Sequence, residues 1–252
     1  MTSLRVRIGT TLGSLEHDRA HVPPCYSHGG FALDVAFEAP PGISVFFGPS
    51  GAGKSTTLAA IAGLLRPRRG TIALGEEAWL DTERGIDKPV HLRGAAFVFQ
   101  SLALFPHMTA RANVEYGISR STPARERAAR AEAMLAQWKV PHLADRRPST
   151  FSGGEAQRVA LARAFATTPR IVLLDEPFSA MDRRLRHDLA NELRSVIEAL
   201  RIPAIHVTHH RNEARALADR VVLIDRGRIV AAGSTELLAD RDRTDEMGMD
   251  DD

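Results

Sequence analysis

An α/β fold with a mostly parallel sheet core, an antiparallel β portion and an inserted helical segment is predicted by three observations. Short apolar runs that read as buried strands, among them "ISVFF", "AAFVF" and "RIVLLD", alternate with helical patterns. Strand character disappears between about residues 101 and 169 and returns at 170. A glycine-rich turn, "GPSGAGKST" (48–56), connects one apolar run to a helix.

The elements follow in order. Leu4, Val6 and Ile8 alternate as a first strand, and "FALDVAF" (31–37) reads as a second, ended by the turn "APPG". "ISVFF" (43–47) feeds the glycine-rich turn and the helical pattern "KSTTLAAIAGLL". "TIAL" is a strand, "RGIDKPVHLRG" a polar excursion, and "AAFVF" (95–99) a strand again. "PARERAARAEAMLAQWK" and "GGEAQRVALARAFA" are the helices of the inserted segment. Strands then recur at 170–175, 204–209, 220–225 and 228–233, with a long helix at about 182–200. The domain expectation is one domain over 1–240, with 1–99 and 170–240 as its core and 100–169 as a helical subdomain. The acid-rich "DRDRTDEMGMDDD" reads as a solvated tail.

Composition narrows the function classes. The chain has 252 residues and 44% hydrophobic content, enough for a real core. Its single cysteine, Cys25, excludes an intramolecular disulfide. The start of the chain lacks the apolar core of a secretory signal, and no window approaches the roughly 18 apolar residues of a membrane span. The expectation is a chain that neither is secreted nor crosses a bilayer. With 33 basic and 31 acidic residues, the net charge of +2 does not argue for nucleic acid.

The turn at 48–56 satisfies G-x-x-x-x-G-K-[ST] between a strand and a helix. Gly48, Pro49, Ser50, Gly51, Ala52, Gly53, Lys54, Ser55 and Thr56 form a phosphate cradle: the glycines let backbone N–H groups curve around an anion at a helix N-terminus. Lys54 reaches the β and γ phosphates, and the Ser55 hydroxyl is an oxygen ligand for Mg²⁺. At the end of "IVLLDEP", Asp175 suits Mg²⁺ coordination and Glu176 suits a general base or polariser of the attacking water.

In "FSGGEAQRVALARA", Ser152 reads as a helix N-cap, followed by Gly153 and Gly154. Two adjacent glycines weaken a helix unless backbone must be approached closely. They therefore read as a second phosphate cradle, one that serves a nucleotide held by another copy of the chain.

Taken together, these residues resemble the ATP-binding subunits of ABC transporters, a P-loop NTPase family, over about residues 31–238. "FSGGE" stands where that family carries LSGGQ, with Phe151 for leucine and Glu155 for glutamine. The resemblance implies an ATPase with ATP and Mg²⁺, working as a homodimer that sandwiches two ATP molecules. It implies that Gln100 contacts Mg²⁺ or the attacking water, and that His209 in "VTHH" contacts the γ phosphate, with His210 a bystander. Asp182 in "FSAMD" resembles a residue of the dimer interface, and a helix N-cap is its competing role. Tyr26 and Phe31 both remain open as the adenine-stacking aromatic.

Within the family, "ERGIDKPVHLRGAAFVFQSLALFPHMTARANVEYG" is most similar to the ATPases of molybdate importers. Those continue into a β-rich anion-binding domain, whereas this sequence ends soon after "GSTELLAD". The implied partners are two transmembrane permease subunits and, through them, a periplasmic or extracellular solute-binding protein. The implied location is the cytoplasmic face of the plasma membrane. Leu104, Phe105 and Met108 read either as the groove for a permease helix or as ordinary core. An importer for another solute, an exporter, and a soluble ABC ATPase acting on nucleic acid or ribosomes are the alternative readings.

Overall fold

The computed structural model describes residues 2–12, 31–179 and 181–238. Cys25, Tyr26 and the acid-rich tail lie outside the described residues. In chain order the elements are β1 (Leu4–Leu12), β2 (Phe31–Ala39), β3 (Gly42–Phe47), α1 (Lys54–Ala62), β4 (Arg69–Leu74), β5 (Glu77–Asp81), β6 (Ile86–Asp87), β7 (Ala95–Val98), α2 (Ala110–Tyr116) and α3 (Ala124–Gln137). There follow α4 (Gly153–Ala166), β8 (Ile171–Asp175), α5 (Arg183–Leu200), β9 (Pro203–Val207), α6 (Arg211–Leu217), β10 (Arg220–Asp225) and β11 (Arg228–Gly233). They belong to two compact units, Met1–Arg93 with Leu189–Asp252, and Gly94–Asp188.

In the first unit the strand order is β6-β5-β4-β1-β2-β11-β10-β3-β9. β3 runs parallel to both β10 and β9, and these apolar runs are buried along most of their length. The antiparallel side is larger than the periodicity suggests. β1 pairs with β2 from Leu4↔Ala39 to Leu12↔Phe31 and with β4 on its other edge, and β5 and β6 extend the meander. Alternation in β1 buries Leu4, Val6 and Ile8, as a strand covered on one face requires. β6 falls within what reads as a polar excursion, and β5 lies just before it. They are too short to show a period, and the core contribution of β5 is Trp79 and Leu80.

One buried charge organises this unit. Arg93 is 2% exposed and donates to Ala60 O (3.1 Å), Ile61 O (2.8 Å), Lys88 O (2.9 Å) and Asp87 Oδ1 (3.1 Å). It thereby satisfies carbonyls at the C-terminal end of α1, which a helix leaves without partners of its own. Burial lowers the guanidinium pKa and Asp87 acts against that shift. Arg93→Met is expected to destabilise the protein by about 3 kcal/mol, read as a lower urea midpoint, because carbonyls and a carboxylate lose a buried donor.

In the second unit β7 and β8 run parallel, from Ala95↔Ile171 to Val98↔Leu174. The helices α2, α3 and α4 pack against one another around Val114, Ala131, Leu135, Trp138, Val159 and Phe165. α5 starts in this unit, where Asp182 Oδ1 accepts the N–H groups of Arg184 and Leu185 at 3.0 Å. The capping role for Asp182 is therefore present.

Candidate functional site

In the first unit the cradle residues lie between β3 and α1, with Gly53 as the N-cap of α1 in the left-handed region at φ 102°. Only glycine adopts that conformation at no steric cost. A Cβ on Gly53 would also sit 2.8 Å from the Phe31 ring, and one on Gly48 would sit 2.0 Å from Ile224 O. Lys54 is 5% exposed, and its ammonium donates to Gly48 O and Pro49 O, each at 2.8 Å. The loop is thus wrapped around a buried positive charge at a helix N-terminus, an arrangement suited to a polyphosphate. Ser55, Thr56 and Thr57 follow in the first turn of α1.

Phe31 stands beside this loop, and it also lines an open pocket of about 1000 Å³ with Arg68, Arg69, Arg226 and Arg228. The other aromatic candidate, Tyr26, is among the residues not described.

The register Phe46↔Val207 makes β3 and β9 end together, so residues 208–210 leave the same sheet edge as the phosphate loop. Thr208 N–H bonds to Phe46 O at 3.3 Å, and Thr208 Oγ1 accepts His210 N–H at 3.0 Å. His209 is exposed, with its ring 4.1 Å from that of His210. β9 stops at Val207, so His209 sits in the turn after the strand and before α6 rather than at the strand's end. Across that turn His206, wholly buried, lies with Nε2 2.5 Å from Glu213 Oε1. The buried pair closes the residues carrying His209 into a loop anchored at both ends.

In the second unit β7 and β8 end side by side, which brings Gln100 and the acidic pair to one edge. Asp175 is the last residue of β8 and 9% exposed. Glu176 has φ 45°, a left-handed conformation rare for residues other than glycine. It turns the chain sharply before Pro177. Gln100 Nε2 donates to Glu176 Oε2 at 3.5 Å, so two of the residues expected to act on water or metal are in contact here.

Ser152 caps α4 with a reciprocal capping box: its hydroxyl accepts Glu155 N–H, and Glu155 Oε2 accepts Ser152 N–H. The two glycines do different things. A Cβ on Gly154 would sit 2.4 Å from Leu185 Cδ2, so this glycine lets α4 approach α5, whereas a Cβ on Gly153 would meet nothing within 4 Å. Gly153 and Ser152 are the exposed part of the turn.

The segment after Gln100 is held by residues that sequence reasoning passed over. Leu102 and Ala103 both have positive φ, and Arg163 of α4 donates to their carbonyls at 2.8 and 2.7 Å. The same guanidinium lies 5.6 Å from the Phe105 ring centroid. Asn113, wholly buried, accepts Phe105 N–H at 2.8 Å and donates to Phe105 O at 3.1 Å. An arginine in an apolar helix and an asparagine in a short one are the only signals in the sequence. Leu104, Phe105 and Met108 are half-buried in this segment. Arg163→Ala is expected to lower stability by about 1–3 kcal/mol and to raise amide exchange at residues 101–105, measured by hydrogen–deuterium exchange.

The sequence signature of the family described as "ABC transporter" matches residues 33–179. The molybdenum import ATP-binding protein ModC 1 of Azotobacter vinelandii is 41% identical over 210 residues, 83% of this chain and 58% of that protein. A molybdenum import ATP-binding protein ModC of Rhizobium meliloti is 42% identical over 212 residues, 82% of this chain and 58% of that protein. The chain thus spans less than two thirds of the length of these relatives. A solved structure described as the dimeric structure of a bacterial ABC transporter cassette superposes with a TM-score of 0.73 at 26% identity, covering 92% of this chain and 98% of the other.

Proposed function

The chain belongs to the ABC transporter family, and from that premise we propose that it binds and hydrolyses ATP to energise uptake of a small solute, most specifically molybdate or a related oxyanion. The observation that carries the ATPase reading is the phosphate loop wrapped around the buried Lys54 ammonium. Lys54 and the loop amides bind the triphosphate, and Glu176 accepts a proton from the attacking water while Gln100 orients it. His209 contacts the γ phosphate from the turn anchored by His206 and Glu213.

The oxygen donors available, the Ser55 hydroxyl, the Asp175 carboxylate and the Gln100 amide, fit Mg²⁺, a hard cation. Such an ion would supply neutralisation of phosphate charge. Phe31 offers an aromatic face beside the loop for adenine.

Ser152, Gly153 and Gly154 face the ATP of a second copy, so the active state is a homodimer; similarity to a dimeric cassette supports this. Residues 100–169 act as the helical subdomain that meets two permease subunits, with a solute-binding protein beyond them, at the cytoplasmic face of the membrane. Among the described residues no helix is long and apolar enough to cross a membrane. Similarity to two molybdenum import ATP-binding proteins supports the choice of solute.

The test is uptake of labelled molybdate, tungstate and sulfate by cells carrying the chain with its permease, against cells in which Lys54 is replaced by alanine. ATP-dependent molybdate uptake that Lys54→Ala abolishes is expected. ATP-dependent uptake of a different solute, or export, would overturn the choice of molybdate and leave the ATPase reading in place.

A further inference from the structure

We infer that His142 is a positioning residue for the Ser152–Gly154 turn: through Glu155 it sets the charge and the free hydroxyl that the turn presents to ATP held by a second copy. The inference rests on the function proposed above and deepens it.

One carboxylate links the three side chains. Ser152 Oγ–H and Ser152 N–H both donate to Glu155 Oε2, at 2.9 and 2.8 Å. The donor of the residue that meets phosphate is therefore turned inward. The other oxygen, Oε1, lies 3.2 Å from His142 Nε2. The backbone and hydroxyl bonds from Ser152, then the bond to His142 and the charge of Arg146, hold the Glu155 carboxyl below the usual carboxylate range. It is ionised near neutral pH, and an ionised carboxylate beside a triphosphate is repulsive.

The groups that offset this repulsion come from the segment before α4. His142 lies in the turn Pro141–Leu143, and Arg146 follows it, its guanidinium donating to Thr150 O at 2.9 Å. Histidine as a residue type changes charge between about pH 5 and 8. The His142 side chain is 58% exposed. When the ring takes up a proton, the Glu155–His142 pair becomes neutral overall. The carboxylate then draws toward Oε1's partner, and the Ser152 hydroxyl rotates outward to donate to a phosphate oxygen. When the ring is neutral, one negative charge remains and the hydroxyl stays with Glu155. Phosphate binding favours the protonated ring, so by linkage ATP-dependent dimerisation tightens as pH falls.

The experiment uses the full chain carrying Glu176→Gln, so that ATP is bound and not consumed. The dissociation constant of the ATP-dependent dimer is measured by sedimentation at about pH 6 and about pH 8, the range over which histidine changes charge. The parent is expected to be about threefold to tenfold tighter at the lower pH, the scale of one partly exposed charge. His142→Gln keeps a hydrogen-bond donor but no charge, and is expected to lose that gain. His142→Lys carries charge at both values and is expected to restore the tight dimer at both. Glu155→Gln retains a capping-box residue, and is expected to tighten the dimer at the higher pH.

A His142→Gln protein with the parent's constants at both pH values overturns the inference. Dimerisation that ignores both Ser152→Ala and Gly153→Asp instead overturns the reading of the turn as a phosphate site. These results are distinguishable because the first leaves the dependence on Ser152 and Gly153 intact.

Discussion

Glu176→Gln is expected to lower steady-state ATP turnover by about 10²–10⁴-fold while nucleotide binding is kept, the size of effect that loss of a general base produces. The substitution is nearly isosteric, and glutamine retains an oxygen for the contact with Gln100, which lies 3.5 Å away. What is lost is the capacity to take a proton. The left-handed backbone at φ 45° is intrinsic to the turn after β8, so the side chain remains where the turn puts it. The measurement pairs phosphate release by the permease complex with ATP binding and dimer accumulation. Undiminished hydrolysis with a normal dimer equilibrium would remove Glu176 from the chemistry.

The second large effect concerns shared sites. Lys54→Ala removes the ammonium held at 2.8 Å from two loop carbonyls. Gly153→Asp adds a carboxylate where a Cβ meets nothing within 4 Å, so the fold accommodates it and a phosphate does not. Aspartate in the first turn is moreover favourable for the helix. If each nucleotide lies between the loop of one copy and the turn of the other, a mixed dimer of the two variants holds one intact site and one doubly damaged site. Either homodimer holds two half-damaged sites. Occlusion of about one ATP per mixed dimer, at least about tenfold above either homodimer, is expected from restoring one full set of phosphate contacts. Mixed dimers as poor as the homodimers would mean that loop and turn serve the same copy.

The phosphate loop was legible because its chemistry is local. Spacing alone places Gly48, Gly53 and Lys54 in one turn between a strand and a helix, where the structure has them. Asp175 and Glu176 were legible because an apolar run ending in acid marks a strand's carboxyl end. The cap at Ser152 was legible from its type and from Glu155 three residues on, and the capping box is present in full. The β5 and β6 strands and helix α6 were not, since elements of 5, 2 and 7 residues show too little of any period to be read. Arg93, Arg163 and His206 were illegible for another reason: Arg163 and His206 are polar residues in apolar stretches and Arg93 is one charge in a polar one, and none of the three positions shows which groups it meets.

By itself, the sequence determined the family, the order of the phosphate-binding and acidic motifs, and the strands that carry them, because these depend on residue type, spacing and hydrophobic period along one continuous stretch. Only the tertiary structure decided that Arg93 closes the end of α1, that Gln100 meets Glu176, that Gly154 is needed for packing while Gly153 is open, and that Glu155 joins Ser152 to His142. Those facts depend on which groups the fold brings into contact: around buried Arg93 an unmatched donor or charge is costly, and at exposed Gln100 and half-buried Glu155 only the placement of separate elements makes the pairing. No periodicity encodes that pairing.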